Sequence, residues 1–142
     1  MGLHRPVLRA TAPALVLAGV SVVAWAAWLG WDQGQDVRAD GSVSGPYAVW
    51  QVAGLVATLL AAVCCAAARG HSAAAVGGTT VGLTLAAYVD WSGDSSGLFM
   101  VGVVLVMAGS FVASAVASAV VSAVADTLRR DRPLTRWARL RR

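Results

Sequence analysis

Four residue types are missing from this chain of 142 residues: lysine, glutamate, asparagine and isoleucine do not occur. All eleven basic residues are therefore Arg and all seven acidic residues are Asp. The loss of Lys, Asn and Ile together is the mark of a GC-rich coding sequence and points to a high-GC bacterium. With no Glu, and no Asp at the centre of any apolar run, the chain lacks the group on which proton-coupled membrane transport usually depends. Small multidrug-resistance transporters also have four helices, but they rely on an intramembrane Glu.

Histidine occurs twice, as His4 and His71, and both lie outside the apolar runs, which excludes a bis-His haem within a bilayer. Cysteine also occurs twice, as the adjacent pair Cys64 and Cys65. Adjacent cysteines rarely pair with each other because of the geometry a disulfide needs, so there is no disulfide framework. No Cys-x-x-Cys is present, which argues against a membrane thiol oxidoreductase, and no Ser/His/Asp set falls on one side of the chain's apolar runs to form a hydrolytic triad. The expectation is a protein that is no enzyme and holds no cofactor.

What the chain has is apolar surface. It is 58% hydrophobic and 13% charged, with a mean hydropathy of +0.68, where a soluble domain carries about 25% charged residues. Four apolar runs stand out, at about 10–31, 47–68, 73–91 and 97–125, and each is long enough for a hydrocarbon core of about 30 Å. Backbone groups cannot stay unpaired in lipid, so these runs should be helices. The sequence therefore predicts an all-α polytopic membrane protein, a four-transmembrane-helix bundle with short loops and a basic tail over 126–142. The fourth run is roughly 43 Å long at 1.5 Å per residue, so it should tilt or project beyond the bilayer.

Under this layout ten Arg lie on one side: Arg5, Arg9, Arg69 and the seven after the fourth run. The other side holds Arg38 with Asp32, Asp36, Asp40, Asp90 and Asp94. That bias over short loops places both termini in the cytoplasm of a bacterial plasma membrane. Trp25, Trp28, Trp31, Tyr47, Trp50, Tyr88 and Trp91 fall at the opposite ends of the first three runs, where amphipathic rings favour the interface. A signal peptide is the competing reading of the first run, with Arg5 and Arg9 as its basic region and Ala24-Trp25-Ala26 as a cleavage box. The apolar stretch continues unbroken to Trp31, which favours an uncleaved helix.

Several patterns could carry function. Ser110, Ser114, Ser118 and Ser122 recur every four residues in the fourth run and form a ridge of small hydroxyl-bearing side chains. Such ridges let helix backbones approach closely, with Ser bonding across the contact. Packing inside one bundle is the first reading, and an interface with a second copy or a membrane partner subunit the second. A pore lining is the third, and it is weakened because an isolated Ser can bond its own backbone. Gly54 and Thr58 share a four-residue spacing, as do Gly78 and Gly82, and Gly77-Gly78-Thr79-Thr80 is a place where the third helix can kink.

The stretch from Asp32 to Pro46 lacks the alternating ligands and closing Glu of a calcium loop and reads as a solvated acidic loop. Asp90 reads as a helix-end charge facing water, and the two cysteines as buried structural residues near His71. In the tail, Arg129, Arg130, Arg132, Arg136 and Arg139 are expected to meet anionic lipid headgroups, at about 1 kcal/mol each near the surface. Membrane proximity favours lipid over nucleic acid there. Pro133 is expected to break the tail into an extension of the fourth helix and a short interfacial helix.

The segment Gly45-Pro46-Tyr47-Ala48-Val49-Trp50-Gln51-Val52, set in the four-span layout, resembles small integral membrane proteins of high-GC actinobacteria. The resemblance implies the four-helix architecture and no activity for any named residue. Two functional classes follow from the whole: an accessory or structural membrane subunit acting through helix–helix contacts, or a small oligomeric transporter or channel.

Overall fold

The computed structural model describes residues 4–31, 36–37, 43–44, 47–93 and 97–139, with side chains described for 11–31, 47–93 and 97–130. Among these residues four helices form: α1 (His4–Trp28), α2 (Val49–Ala68), α3 (Ser72–Trp91) and α4 (Phe99–Arg139). All four contain a stretch long and apolar enough to cross a membrane. The chain is a multi-pass, all-helical membrane bundle. The one departure among the described residues is in the acidic loop, where β1 (Asp36–Val37) and β2 (Val43–Ser44) make a two-residue antiparallel ladder, Asp36 opposite Ser44.

Local chemistry sets the helix ends. At the start of α2 the Ala48 N–H donates to Gln51 Oε1 at 2.6 Å, so Gln51 reaches back to a backbone group that the first turn leaves open. At its end Gly70 takes φ +83°, the Gly70 N–H donates to the Ala67 carbonyl and the His71 N–H to that of Ala66. Only glycine adopts that backbone readily, and it turns the chain at once into α3.

Two expectations about helix ends are corrected. Pro133 does not divide the tail, because α4 continues through it to Arg139, a helix of 41 residues or about 61 Å. α1 likewise runs through Pro13 and starts at His4, earlier than the apolar run. The fixed φ of proline suits a helix, and each ring removes a single N–H near a helix end, where water can bond the carbonyl left over. The Gly77–Thr80 tract does not interrupt α3 either, which is helical from Ser72 to Trp91.

The helices run alternately up and down. α1 and α3 are parallel and pack most closely: a Cβ on Gly78 would meet Ala14, and one on Gly82 would lie 2.5 Å from the Ala18 carbonyl oxygen. Both contacts keep the same residue offset, so Ala14-x-x-x-Ala18 on α1 lies along Gly78-x-x-x-Gly82 on α3. Small residues on both partners let the two backbones touch. α3 and α4 are antiparallel, with Ser72 Oγ and Ser122 Oγ 3.2 Å apart near one end and Gly102 against the Trp91 ring near the other. The largest buried cluster joins Ala24, Trp25 and Leu29 to Leu55, Leu59, Leu83, Ala87 and Val103. A smaller one joins Leu17, Val63 and Ala75.

Candidate functional site

Two features at different depths of the bundle are candidates. The first is a knot of polar and aromatic groups at the end where the Trp residues gather. Tyr47, just before α2, donates its O–H to Asp90 Oδ2 at 2.5 Å, and the Trp25 indole N–H donates to the same oxygen at 3.3 Å. The Trp91 indole N–H donates in turn to Tyr47 Oη at 3.0 Å. Trp25 stands edge-on to both Tyr47 and Trp91, with ring centroids 6.3 and 5.7 Å apart, a favoured arrangement for aromatic pairs. Asp90 is therefore not a helix-end charge facing water. It is half-buried and holds α1, the start of α2 and α3 to one oxygen. A charged acceptor strengthens each of these bonds, more so away from bulk water.

Beside the knot, Gly54 and Thr58 form a seat for Trp28. The Trp28 N–H donates to Thr58 Oγ1 at 3.2 Å, and Thr58 donates to the Gly54 carbonyl at 2.8 Å. A Cβ on Gly54 would lie 2.5 Å from the Trp28 ring. The four-residue spacing marks this face of α2, yet what it receives is an indole rather than a helix backbone. Gly54→Leu is expected to expel Trp28 from its seat, read as a shift of tryptophan emission and loss of its protection from aqueous quenchers. Thr58→Val, which keeps the shape and removes the acceptor, should give a smaller shift, because a neutral hydrogen bond is worth about 0.5–1.5 kcal/mol.

The second feature is a trough of about 430 Å³ between α2, α3 and α4. Leu55, Leu59 and Val63 of α2 form one wall, and Val106, Gly109, Ala113 and Ser114 of α4 the other. Thr79 and Leu83 of α3 form the floor, and Trp25, Tyr47 and Trp91 close one end. From Val52 to Val63 along α2 the trough is about 17 Å long at 1.5 Å per residue.

The serine ridge divides between these surroundings. Ser114 and Ser118 are buried, Ser122 meets Ser72, and Ser110 lines the trough while donating to the Met107 carbonyl at 3.1 Å. Ser114 bonds its own helix, donating to the Ser110 carbonyl at 2.6 Å. Ser21, Thr58 and Thr84 do the same four residues back, at 2.7–2.8 Å. Thr79 does not: its side chain is 3% exposed, and its Oγ1 has no hydrogen-bond partner. Thr80 and Ser118 also have buried hydroxyls without a partner, but neither lines the trough.

The cysteines are less enclosed than expected, since Cys64 is half-buried and Cys65 exposed on α2. Cys64 borders the buried stripe of Leu55, Leu59, Val63 and Ala67, and Cys65 faces outward. His71 is exposed at the following turn. Arg129 and Arg130 are exposed on α4, while the side chains of Arg132, Arg136 and Arg139 lie outside the described residues. Comparison with protein-family models, curated proteins and solved structures finds no match to this chain.

Proposed function

We propose that the chain is an accessory or structural membrane subunit that acts through helix–helix contacts and is no enzyme. The observation that carries this reading is the state of α4. It has the most apolar span of the four, yet only 11% of that window is buried by the rest of the chain, against 44% for α3. Along its open side Val112, Val116, Val120 and Val124 form a row at four-residue spacing, each more than half exposed. β-branched side chains are held in one rotamer on a helix, so the row is a stiff ridge suited to a groove on another helix. Lipid can cover such a row, but α4 also continues well past the ends of α2 and α3, which gives a partner a long surface to follow.

Arg69, Arg129 and Arg130 lie at the end opposite the tryptophans, which supports a cytoplasmic position for that end and for both termini in a bacterial plasma membrane. Arg129 and Arg130, the exposed arginines of α4 nearest the bundle, then meet anionic headgroups. A pore through one copy gains no support from the serines, since Ser114 bonds its own backbone and Ser118 is enclosed.

The test is purification of a tagged copy from native membranes in mild detergent, with particle mass and co-purifying proteins determined together. A reproducible membrane partner is expected, and Val116→Trp with Val120→Trp should release it while helix content stays unchanged. A lone chain at monomer mass, or a partner held equally well by the double variant, would overturn the reading.

A further inference from the structure

Three features leave α4 free to take a second height against α3. The first is its sequence. From Ser110 to Ala125 the chain reads Ser-x-Val-x four times over, so the helix presents nearly the same surface after a step of four residues, about 6 Å along its axis. The second is length. From Phe99 to Ala125 α4 carries no charged residue, about 40 Å against a hydrocarbon core of about 30 Å, so a step of that size keeps the core filled with apolar side chains. The third is how little holds it, since only 11% of its span is buried by the rest of the chain.

The register in the structure leaves polar groups unmet. Ser72 Oγ lies 3.2 Å from Ser122 Oγ between antiparallel helices, so each step of four back along α4 meets a step of four forward along α3. Ser118 then stands level with Val76, and Ser114 with Thr80. The hydroxyls of Ser118 and Thr80 are buried without a hydrogen-bond partner, which is costly away from water. At the start of α3, His71 makes no side-chain capping bond. One step of α4 towards the tryptophan end answers all three. It brings Ser118 level with Thr80, and it brings the exposed Asp126 level with Ser72, where a carboxylate can accept from the open N–H groups of a helix N-terminus. The opposite step also gives both hydroxyls serine neighbours, but it carries Asp126 further from α3 and leaves the cap open. What holds the observed register is Gly102. A Cβ there would stand 2.8 Å from the Trp91 ring, and the step towards the tryptophan end puts Val106 at that level instead.

We propose that α4 slides against α3 between two registers: the one observed, locked by Gly102 under Trp91, and one a single turn nearer the tryptophan end, in which Asp126 caps α3 and Ser118 meets Thr80. One-turn steps of one packed element past another are an established form of switch. The step moves both ends of α4 together by about 6 Å, so it relays a displacement across the membrane without a pore. It does not depend on the partner assigned to the valine row, which repeats with the same spacing and presents the same surface in both registers.

The test is disulfide trapping in the full chain in native membranes, with Cys64→Ala and Cys65→Ala as background and linked peptides read by mass spectrometry from chains of monomer mass. A disulfide needs Cα atoms about 4.4–6.8 Å apart, so a one-turn offset separates the pairs. Ser72→Cys with Ser122→Cys reports the observed register and should link fastest. Ser72→Cys with Asp126→Cys should link more slowly, as a minor state of about 0.1–10% does, yet at least about tenfold faster than Ser72→Cys with Ser118→Cys, the equal and opposite offset. Gly102→Leu should raise the Asp126 link relative to the Ser122 link about fivefold or more, the lower end of what overpacking a close contact does. Absence of the Asp126 link, or equal linking of Asp126 and Ser118, would mean one register with thermal play and would overturn the proposal. So would an unchanged ratio in a Gly102→Leu chain of normal helix content. If Gly102→Leu fails to insert, the pairs in the Gly102 background decide the matter alone.

Discussion

Gly82→Leu should prevent α1 and α3 from packing and leave no stable bundle in detergent. A Cβ at this position would already stand 2.5 Å from the Ala18 carbonyl oxygen and 2.8 Å from Ser21 Cβ, and the first of these is backbone that cannot swing aside. Overpacking a close-packed core costs about 1–3 kcal/mol for modest excess volume. Leucine adds much more here, against backbone at the α1–α3 contact, so a loss of several kcal/mol is expected. Gly77→Leu, one residue earlier on the same helix, is the internal comparison. Its Cβ would meet nothing within 4 Å, and leucine favours helix more than glycine does, so stability should be unchanged or slightly higher. Unfolding in mixed micelles of increasing sodium dodecyl sulfate measures both. If the two variants unfold alike, the α1–α3 contact is not what holds the bundle together.

Tyr47→Phe should be the most damaging single-atom change at the tryptophan end. It removes the 2.5 Å bond to Asp90 and the acceptor used by the Trp91 N–H while keeping the ring. Hydrogen bonds to charged groups contribute about 1.5–3 kcal/mol. A loss in that range is expected, together with a changed near-ultraviolet circular dichroism signal from Trp25 and Trp91, which both pack on this ring or on each other. Val89→Ala, next to Asp90 but exposed, should leave the signal alone. An unchanged spectrum and unfolding midpoint for Tyr47→Phe would show that the knot contributes nothing to the fold.

The four helices were legible in the sequence because a membrane leaves the backbone so few choices. Runs without an internal charge had to be helical, and the tryptophans marked one set of ends. Helix limits were less legible. α1 and α4 continue beyond their apolar runs because arginine is a good helix former and a helix once nucleated extends cheaply into water.

The packing partners were legible by halves. Spacing singled out Gly78 and Gly82, whereas Ala14 and Ala18 sat unremarked in an alanine-rich helix, since nothing in one sequence states which faces meet. Asp90 stood next to two aromatic residues and looked exposed. Its bonding partners come from 43 and 65 residues away, a distance that no local pattern bridges. The trough was invisible for a related reason, since its lining residues come from all four helices and the segment before α2, and no local pattern joins them.

The closer pairing of α1 with α3 than with its neighbour in sequence also sets a timetable for biogenesis. During synthesis at about 5–20 residues per second, the roughly 60 residues between the end of α1 and the end of α3 take on the order of 3–12 seconds to emerge. For that interval the Ala14–Ala18 face of α1 has no glycine face to close against and rests on lipid or on whatever the insertion machinery offers. A nascent chain halted after α2 is therefore left with its main seam unsewn, so quality control in the membrane could recognise an arrested product by that one open face.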